Sequence, residues 1–347
     1  MATLYGREYS RAEIESKVGD IAQIAGVRLG ELGDGRERGV RVADFRTGSG
    51  FAFTVHIDRG LDIGAAEYAG AALAHRTAAG VVGPAYYEPE GIGWVKGFPC
   101  GLMTTCGLTF AGHPCEDQGK PLGLHGPASY IPATNVWADG VWQGDEYEMF
   151  IQGKVREGYL FGDKLELTRR IWARLGESRL FISDRVTNYG ATPAPHMIMY
   201  HCNFGFPLID EGTELRTPSP RGVEPATESA RAGVPRCKVF DAPKPGIGEE
   251  VFYHDLPAAE DGTVTVSLVN PRFQAGRGLG VYLRYRQREL PVLVEWKMMG
   301  AGDYVVGLEP SNCHPIGGRA AERARGTLVT LQPGESVEYQ LEIGVLP

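Results

Sequence analysis

A glutamate near the carboxyl end of the chain has the surroundings of a catalytic base. Glu309 closes the apolar run 304–309 and is followed by Pro310, which cannot donate a hydrogen bond to a neighbouring strand. Apolar surroundings disfavour the charged form of a carboxylate, so we expect the pKa of Glu309 to be raised. A carboxylate with a raised pKa is suited to act as a general base near neutral pH. The alternative interpretation is a glutamate at the end of a strand that faces water.

Two histidines are candidates for the acid that would work with this base. Alternation along one strand places His201 and Asn203 on one face, with Tyr200 and Cys202 on the other. If the second face is core, the first lines a cleft; the alternative is a solvated outer face. His125 stands in a Leu-His-Gly turn, where glycine offers it no packing, and we interpret it as functional. The alternative for His125 is a structural histidine that is held by hydrogen bonds.

Basic and polar side chains elsewhere are candidates for binding a substrate. Arg59 lies in the charged turn 58–64, and its fork of donors suits a polyhydroxylated or anionic ligand. The alternative is a surface turn with a local Asp–Arg pair. Lys297 and Trp296 alternate along a strand, and we interpret Lys297 as facing a ligand. Asn203 and Thr105 complete the predicted substrate-binding set.

The sequence lacks the common motifs of nucleotide and metal chemistry. It contains no G-x-x-x-x-G-K-[ST] loop and no H-E-x-x-H, and the glycines of 276–280 do not follow a strand and open a helix. None of the six cysteines forms a C-x-x-C pair, which makes a structural zinc site unexpected. We therefore predict no cofactor and no metal. An alternative is that distant histidines meet around a metal, as in cupin-like barrels: His56, His125, His201 and His314.

The elements that must position these residues are mostly short strands. Apolar and polar residues alternate in many runs, which are separated by clusters of Gly, Pro, Asn and Asp. This spacing is typical of a β-sandwich or barrel. The runs are 51–57, 147–152, 164–173, 179–187, 263–268, 280–286, 292–298, 304–309, 327–331 and 337–343.

One short helix is predicted near the amino end of the chain. Ser10 and Glu13 have the spacing of a capping box, in which each side chain satisfies a free backbone N–H. An apolar stripe at 14, 18, 21 and 24 follows, and Gly26 is a plausible stop.

Composition favours a globular β protein. The 347 residues include 48 glycines and 23 prolines, which indicates many turns and few long helices. Hydrophobic residues make up 43% and charged residues 22%, which excludes wholesale disorder. We predict one large antiparallel β domain over 1–347. The stretch 216–248, rich in Pro, Glu, Arg and Gly, is expected to be a long loop, either a functional flap or an inserted excursion.

Charge and hydropathy limit the partners. The net charge of −8 argues against a nucleic-acid surface, and no segment reaches the ~18 apolar residues of a membrane span. The first residues lack a basic region followed by an apolar stretch, so no signal peptide is expected. With reduced thiols, the expected location is the cytoplasm and the expected partner is a small molecule. The sequence leaves a homodimer open.

Taken together, the order of these motifs resembles the aldose 1-epimerase (galactose mutarotase) family. The resemblance is carried by the Leu-His-Gly turn at His125, the strand of His201 and the Leu-Glu-Pro segment at Glu309. It extends to a branch of that family with Asp-Arg-Gly-Leu-Asp-Ile at 58–63 and Thr-Thr-Cys-Gly-Leu at 104–108. The resemblance implies a large antiparallel β-supersandwich with a site in a cleft on one sheet.

The resemblance also implies roles for three residues. Glu309 matches the catalytic base, His201 the catalytic acid, and His125 the second histidine of the site. The family's sugar-gripping arginine is missing at 101–107, and we hypothesise that Arg59 replaces it.

The implied activity is interconversion of the anomers of an aldose or a sugar derivative, without a cofactor. The basic residues hint at an acidic or phosphorylated sugar. Two alternatives stay open: a carbohydrate-binding protein on the same scaffold, and a metal-dependent sugar epimerase or isomerase.

Overall fold

The computed structural model describes residues 1–346, most of whose regular structure is β-strand. In chain order the strands are β1 (Ala2–Leu4), β2 (Arg7–Tyr9), β3 (Gly26–Glu31), β4 (Arg41–Arg46), β5 (Phe51–His56), β6 (Asp62–Tyr68), β7 (Ala71–Ala72), β8 (Thr104–Leu108), β9 (Cys115–Asp117), β10 (Lys120–Leu122), β11 (Thr134–Gln143), β12 (Glu146–Gly158), β13 (Lys164–Arg174), β14 (Arg179–Asn188), β15 (Ala194–Phe204), β16 (Glu214–Arg216), β17 (Gly222–Pro225), β18 (Glu250–Asp255), β19 (Thr263–Asn270), β20 (Leu279–Arg286), β21 (Val292–Met299), β22 (Tyr304–Ser311), β23 (Val329–Leu331) and β24 (Ser336–Val345).

Helices are short and few. The α-helical segments are α1 (Arg11–Glu15), α2 (Phe273–Gly276) and α3 (Gly318–Arg325). Single 3₁₀ turns lie at Ile21–Gln23, Gly35–Glu37, Pro84–Tyr86, Gly93–Gly97, Ala128–Tyr130 and Arg231–Arg236. No helix among residues 1–346 is both long and apolar enough to cross a membrane.

Three large sheets form the body of the molecule. The eight-stranded sheet has the order β11-β12-β13-β14-β24-β20-β19-β16. The seven-stranded sheet has the order β17-β18-β21-β22-β15-β23, with β8 also paired to β15, and the five-stranded sheet runs from β3 to β7. Neighbouring strands pair antiparallel, for example β12 with β13 and β15 with β22. The prediction of an all-β antiparallel sandwich is confirmed.

The main hydrophobic core receives side chains from all three large sheets. Phe53 of the five-stranded sheet, Leu167 of the eight-stranded sheet and Tyr200 of the seven-stranded sheet are buried in one cluster. Along β13 burial alternates with a period of two, as a strand with one face on the core requires. Burial of this apolar surface stabilises the sandwich by about 25 cal/mol for each Å² removed from water.

A buried polar network lies where the eight- and seven-stranded sheets pack together. The Arg169 guanidinium forms an ion pair with Asp184, with Nη2 2.6 Å from Oδ2, and donates to Thr105 Oγ1 at 2.7 Å. The Tyr200 hydroxyl donates to the same Asp184 carboxylate at 2.7 Å. Thr105 in turn donates to Asp62. Buried charges are tolerated when they are paired in this way, and the network ties β8 and β15 to the sheet behind them.

The amino-terminal helix is shorter than predicted. Ser10 and Glu13 form the expected capping box, but α1 ends at Glu15. Asp20 then accepts a hydrogen bond from Ala22 N–H and starts a separate 3₁₀ turn. The later residues of the apolar stripe still pack against the core, although they are no longer on one helix.

The stretch 216–248 contains regular structure of its own. It includes β17 and the 3₁₀ turn Arg231–Arg236, and it buries Cys237 and Phe240. Its strand β17 pairs with β18 at the edge of the seven-stranded sheet, so the stretch is joined to that sheet rather than standing apart from it.

Candidate active site

His201 and Glu309 lie directly opposite each other on neighbouring strands of the seven-stranded sheet. The register that pairs Met199 with Ser311 and Cys202 with Leu308 places them across from one another. Cross-strand neighbours have their Cβ atoms about 4.5–5.5 Å apart, so their side chains must meet. The distance from His201 Nε2 to Glu309 Oε1 is 3.2 Å, and the two side chains are only 6% and 3% exposed.

Burial sets the protonation of both groups. It raises the pKa of the Glu309 carboxyl well above its usual value, with the charge of Glu249 as a smaller cause. Burial also lowers the pKa of His201 to about 3, a shift that the Asn203 side chain opposes. Both shifts disfavour charge and therefore favour a neutral pair, with a protonated carboxyl beside a neutral imidazole, which holds a single proton. An ion pair of imidazolium and carboxylate also holds one proton, so the two forms differ only in which group carries it.

His125 stands beside this pair. Its ring centroid is 5.9 Å from that of His201 and 4.8 Å from that of Trp94. The Gly112 N–H donates to His125 Nδ1 at 3.3 Å, and burial lowers the pKa of His125 well below its usual value. The ring is therefore neutral with its hydrogen on Nε2, which makes Nε2 a hydrogen-bond donor.

The backbone around His125 explains the glycines of its turn. His125 itself has a positive φ of 57°. A Cβ on Gly126 would lie 2.4 Å from the carbonyl oxygens of Gly107 and Phe110, so only glycine fits there. The turn is thus held tightly against β8 and fixes the position of the imidazole.

The pair opens into a cleft with aromatic walls. The cleft has a volume of about 850 Å³, a size typical of small-molecule sites. Trp296 and Phe98 flank His201, with ring centroids at 5.4 and 5.2 Å. The Trp296 indole N–H donates to Glu249 Oε2 at 2.7 Å, which fixes the plane of that ring.

Most polar side chains of the cleft are histidines and carboxylates. Besides the residues above, His75, His113 and Asp303 contribute to its lining. Within residues 1–346, no lysine or arginine lines this cleft. The site therefore offers hydrogen-bond acceptors and imidazole donors, but no fixed positive charge for an anionic group.

Gly307 leaves room for the pair. It precedes Glu309 by two residues on β22 and therefore faces the same side. A Cβ at this position would lie 2.5 Å from Glu309 Oε1, 3.2 Å from Trp296 Cβ and 3.3 Å from His201 Cε1. Any other residue would push the carboxylate or the imidazole out of place.

The structure brings the three predicted catalytic residues together. The two basic residues that were predicted to bind the substrate lie outside the cleft. Arg59 is 1% exposed, lies 3.9 Å from the centroid of the Tyr130 ring, and donates to the Val82 carbonyl. Lys297 points away from the cleft because Trp296 before it points into it. Its ammonium donates to two carbonyl oxygens of the stretch 216–248.

The remaining predicted ligands also have protein partners. Thr105 belongs to the buried network of Arg169 and does not line the cleft. The Asn203 amide donates to the carbonyl oxygens of His201 and Gly101 at 2.8 and 3.2 Å. The Asn203 amide nitrogen is therefore engaged by the backbone, and the residue is not part of the cleft lining.

Several residues of the cleft carried little signal in the sequence. His75, His113 and Asp303 stand in unremarkable contexts, and only the fold brings them to one place. Trp94 lies in a glycine-rich loop, and Glu249 directly follows the stretch 216–248. A functional interpretation of that stretch as a flap is the one signal that pointed towards Glu249.

Solved structures share this fold over most of their length. A Klebsiella pneumoniae protein provisionally named an aldose 1-epimerase is 27% identical, with a TM-score of 0.86 over 92% of this chain and 83% of that one. A galactose mutarotase-like protein from Clostridium acetobutylicum is 13% identical, with a TM-score of 0.61 over 93% and 99% of the two chains. Galactose 1-epimerase from Lactobacillus acidophilus is 11% identical, with a TM-score of 0.58 over 93% and 99%. The chain thus has the galactose mutarotase-like fold.

The sequence family is narrower than the fold. The sequence model of the family described as "Domain of unknown function (DUF4432)" matches residues 37–345, and the chain belongs to this family. The search of curated proteins gives no match.

The Gly307→Ala substitution tests the geometry of the pair. The new methyl group must displace Glu309 or His201, so kcat/KM of any reaction that uses both should fall about 10²-fold, the loss typical of a displacement of about 1 Å. Gly33→Ala is the matched control, because nothing lies within 4 Å of its Cβ position. Circular dichroism should show both variants folded. A folded Gly307→Ala protein with full activity would contradict the geometry.

Proposed function

We propose that the protein interconverts the anomers of a neutral aldose by opening and closing the sugar ring, the reaction of an aldose 1-epimerase. The observation that carries the proposal is the 3.2 Å contact between His201 Nε2 and Glu309 Oε1 at the base of an aromatic cleft. An acid and a base that reach one small ligand together are what this reaction requires. The likeness to a provisionally named aldose 1-epimerase supports the same activity.

Ring opening needs two proton transfers. The reaction starts from the ion-pair form, which arises when the proton of the neutral pair moves from Glu309 to His201 in the sugar complex. The Glu309 carboxylate then removes the proton of the anomeric hydroxyl, and the His201 imidazolium donates its proton to the ring oxygen. The bond between the anomeric carbon and the ring oxygen breaks, and the hydroxyl oxygen becomes the carbonyl oxygen of the open sugar. Rotation about the bond between the first two carbons presents the other face of the carbonyl, and the reverse transfers close the ring.

Burial makes each partner stronger in its role. A carboxylate whose pKa is raised is a better base, and an imidazolium whose pKa is lowered is a better acid. Ring opening converts the charged pair into a neutral pair, which is the form that a dry site favours. Ring closure restores the charged pair, and the hydroxyl groups of the bound sugar would stabilise it.

Other residues of the cleft would hold the sugar. His125 would donate from Nε2 to a sugar hydroxyl or to the carbonyl oxygen of the open form. Trp296 and Phe98 would pack against the C–H faces of the ring. The carboxylates of Glu249 and Asp303 would accept hydrogen bonds from hydroxyl groups.

Substitution of the two central residues tests the roles. Glu309→Gln and His201→Ala should each lower kcat about 10²–10⁴-fold, the usual contribution of one positioned proton transfer. The measurement is polarimetry on fresh anomers of neutral aldoses, with Glu31→Gln, an exposed glutamate of β3, as the control. Full anomer exchange by both variants would contradict the assignment.

Outcomes with the unmodified protein separate the alternatives. If it binds sugars in NMR titrations but does not speed anomer exchange, it is a carbohydrate-binding protein on this scaffold. If chelation abolishes activity and deuterium from the solvent appears at carbon, it is a metal-dependent epimerase or isomerase.

The pH dependence should report the single shared proton. We expect a bell-shaped profile of kcat/KM with a broad top around neutral pH. Activity should fall in acid as the pair gains a second proton, which the His201 pKa of about 3 delays. It should fall in alkali as the pair loses its proton, which the raised pKa of Glu309 also delays. A rate that rises steadily with pH up to alkaline values would contradict the shared proton.

The charge of the cleft predicts a preference for uncharged sugars. With carboxylates and no lysine or arginine among the described lining residues, an anionic sugar would meet like charge. We expect kcat/KM for galactose to exceed that for galacturonate by at least about tenfold, since like-charge contact costs several kcal/mol. Added salt should reduce the difference in kcat/KM between the two sugars, because it screens the repulsion between like charges. Faster turnover of the uronate or of a sugar phosphate would contradict this preference.

A further inference from the structure

A second group of reactive side chains lies on the face of the seven-stranded sheet that is opposite the cleft. Cys237 follows the 3₁₀ turn Arg231–Arg236, His254 belongs to β18 and Glu295 belongs to β21. A thiol sulfur, a ring nitrogen and a carboxylate oxygen from these residues lie within 4.8 Å of one another. All three residues are buried. They come from distant parts of the chain, so no spacing in the sequence could show them as a set.

The hydrogen bonds of this group are incomplete. His254 Nε2 and Glu295 Oε2 are 2.7 Å apart, and both side chains are fully buried. Glu295 Oε1 and His254 Nδ1 have no hydrogen-bond partner in the part of the chain that the structure describes. A buried carboxylate with an unused oxygen beside a thiol is unfavourable unless something else satisfies it.

From these contacts we infer that Cys237, His254 and Glu295 bind a divalent metal ion of the zinc class as its three protein ligands. Thiolate, imidazole and carboxylate are the three kinds of side-chain group that bind zinc in proteins. With bond lengths of about 2.0–2.3 Å, tetrahedral zinc places its ligand atoms about 3.3–3.8 Å apart. The nitrogen and the carboxylate oxygen, now hydrogen-bonded, would separate slightly, and the sulfur would move inwards.

The surrounding charges match a divalent ion. The Lys297 ammonium lies 3.9 Å from Glu250 Oε2 and donates to the carbonyl oxygens of Arg236 and Val239, at 3.1 and 3.0 Å, on either side of Cys237. Glu250 already has two cations near it, because Arg236 Nη2 also lies 3.9 Å from its Oε1. A divalent ion would balance the two remaining charges, those of a Cys237 thiolate and Glu295. Buried charges need this balance, and the two carbonyl contacts hold the cysteine in place.

The metal would fasten the stretch 216–248 to the sheet. Glu295 and Lys297 stand on either side of Trp296, which points through the opposite face into the cleft. The site is therefore separated from the cleft by the sheet itself. The metal would stabilise the face of β21 that is opposite Trp296. The inference of a metal site does not depend on the proposed sugar chemistry.

Metal content is the direct test. The full-length protein is incubated with Zn²⁺, freed of excess metal, and measured by elemental analysis, and the same is done with Co²⁺ for optical spectra. We expect about one metal per chain, tetrahedral cobalt bands with a thiolate charge-transfer band, and a higher melting temperature with Zn²⁺. Absence of bound zinc and of the thiolate band in the unmodified protein would overturn the inference.

Variants locate the site. Loss of an outer partner of a metal site already weakens binding about 10–100-fold, so Cys237→Ser should weaken it at least as much and abolish the thiolate band. Glu295→Gln, which keeps the size of the side chain, should weaken binding without abolishing that band. Cys115→Ser, at a half-buried cysteine outside the group, is the matched control. Unchanged metal content and cobalt spectra in folded Cys237→Ser protein would overturn the inference.

Discussion

The antiparallel register of β15 and β22 is the constraint on which the site depends. It sets His201 opposite Glu309 in the interior of a sheet, where neither group has enough water to carry its charge alone. Two such groups cannot be treated separately, because the proton that one gives up is the proton that the other takes. A shift of one residue in this register would turn one of the two side chains to the other face of the sheet.

Contacts on the core-facing side of β15 stabilise that register. On β15 the residue before His201 is Tyr200, and its hydroxyl donates to the Asp184 carboxylate of the eight-stranded sheet. Arg169 pairs with the same carboxylate and also contacts β8 through Thr105. The reactive face of β15 is thus backed by a buried ionic network on its other face. In front, Gly307 supplies the space that lets imidazole and carboxylate approach.

Much of the fold could be predicted from the sequence, because strand alternation and turn residues are local properties. The faces of β15 and β22 were also predictable: Tyr200 and Leu308 lie in the core, whereas His201 and Glu309 line the cleft. Along β21 the same alternation was predicted, but with Lys297 on the ligand side, whereas Trp296 is the residue that lines the cleft. Which face looks into the cleft depends on the stretch packed behind the strand.

Properties that depend on distant elements could not be predicted. A charged turn near a strand end suggested that Arg59 binds a ligand. In the structure the ring of Tyr130, from a later loop, covers the Arg59 guanidinium. Asn203 was placed on the correct face, but its amide is used by neighbouring carbonyl groups. The absence of arginine and lysine from the described cleft lining is likewise a property of the assembled fold, and it is the reason for proposing a neutral sugar where the sequence only hinted at an acidic or phosphorylated one.

We expect His201 and Glu309 to hold one proton between them, mainly on the carboxyl, when the cleft is empty. NMR of protein labelled with ¹⁵N-histidine and ¹³C-glutamate, assigned with the Glu309→Gln and His201→Ala variants, observes both groups directly at neutral pH. The spectra should show a neutral His201 imidazole together with a protonated Glu309 carboxyl. A neutral imidazole beside an ionised carboxylate, with no proton shared between the two, would contradict it.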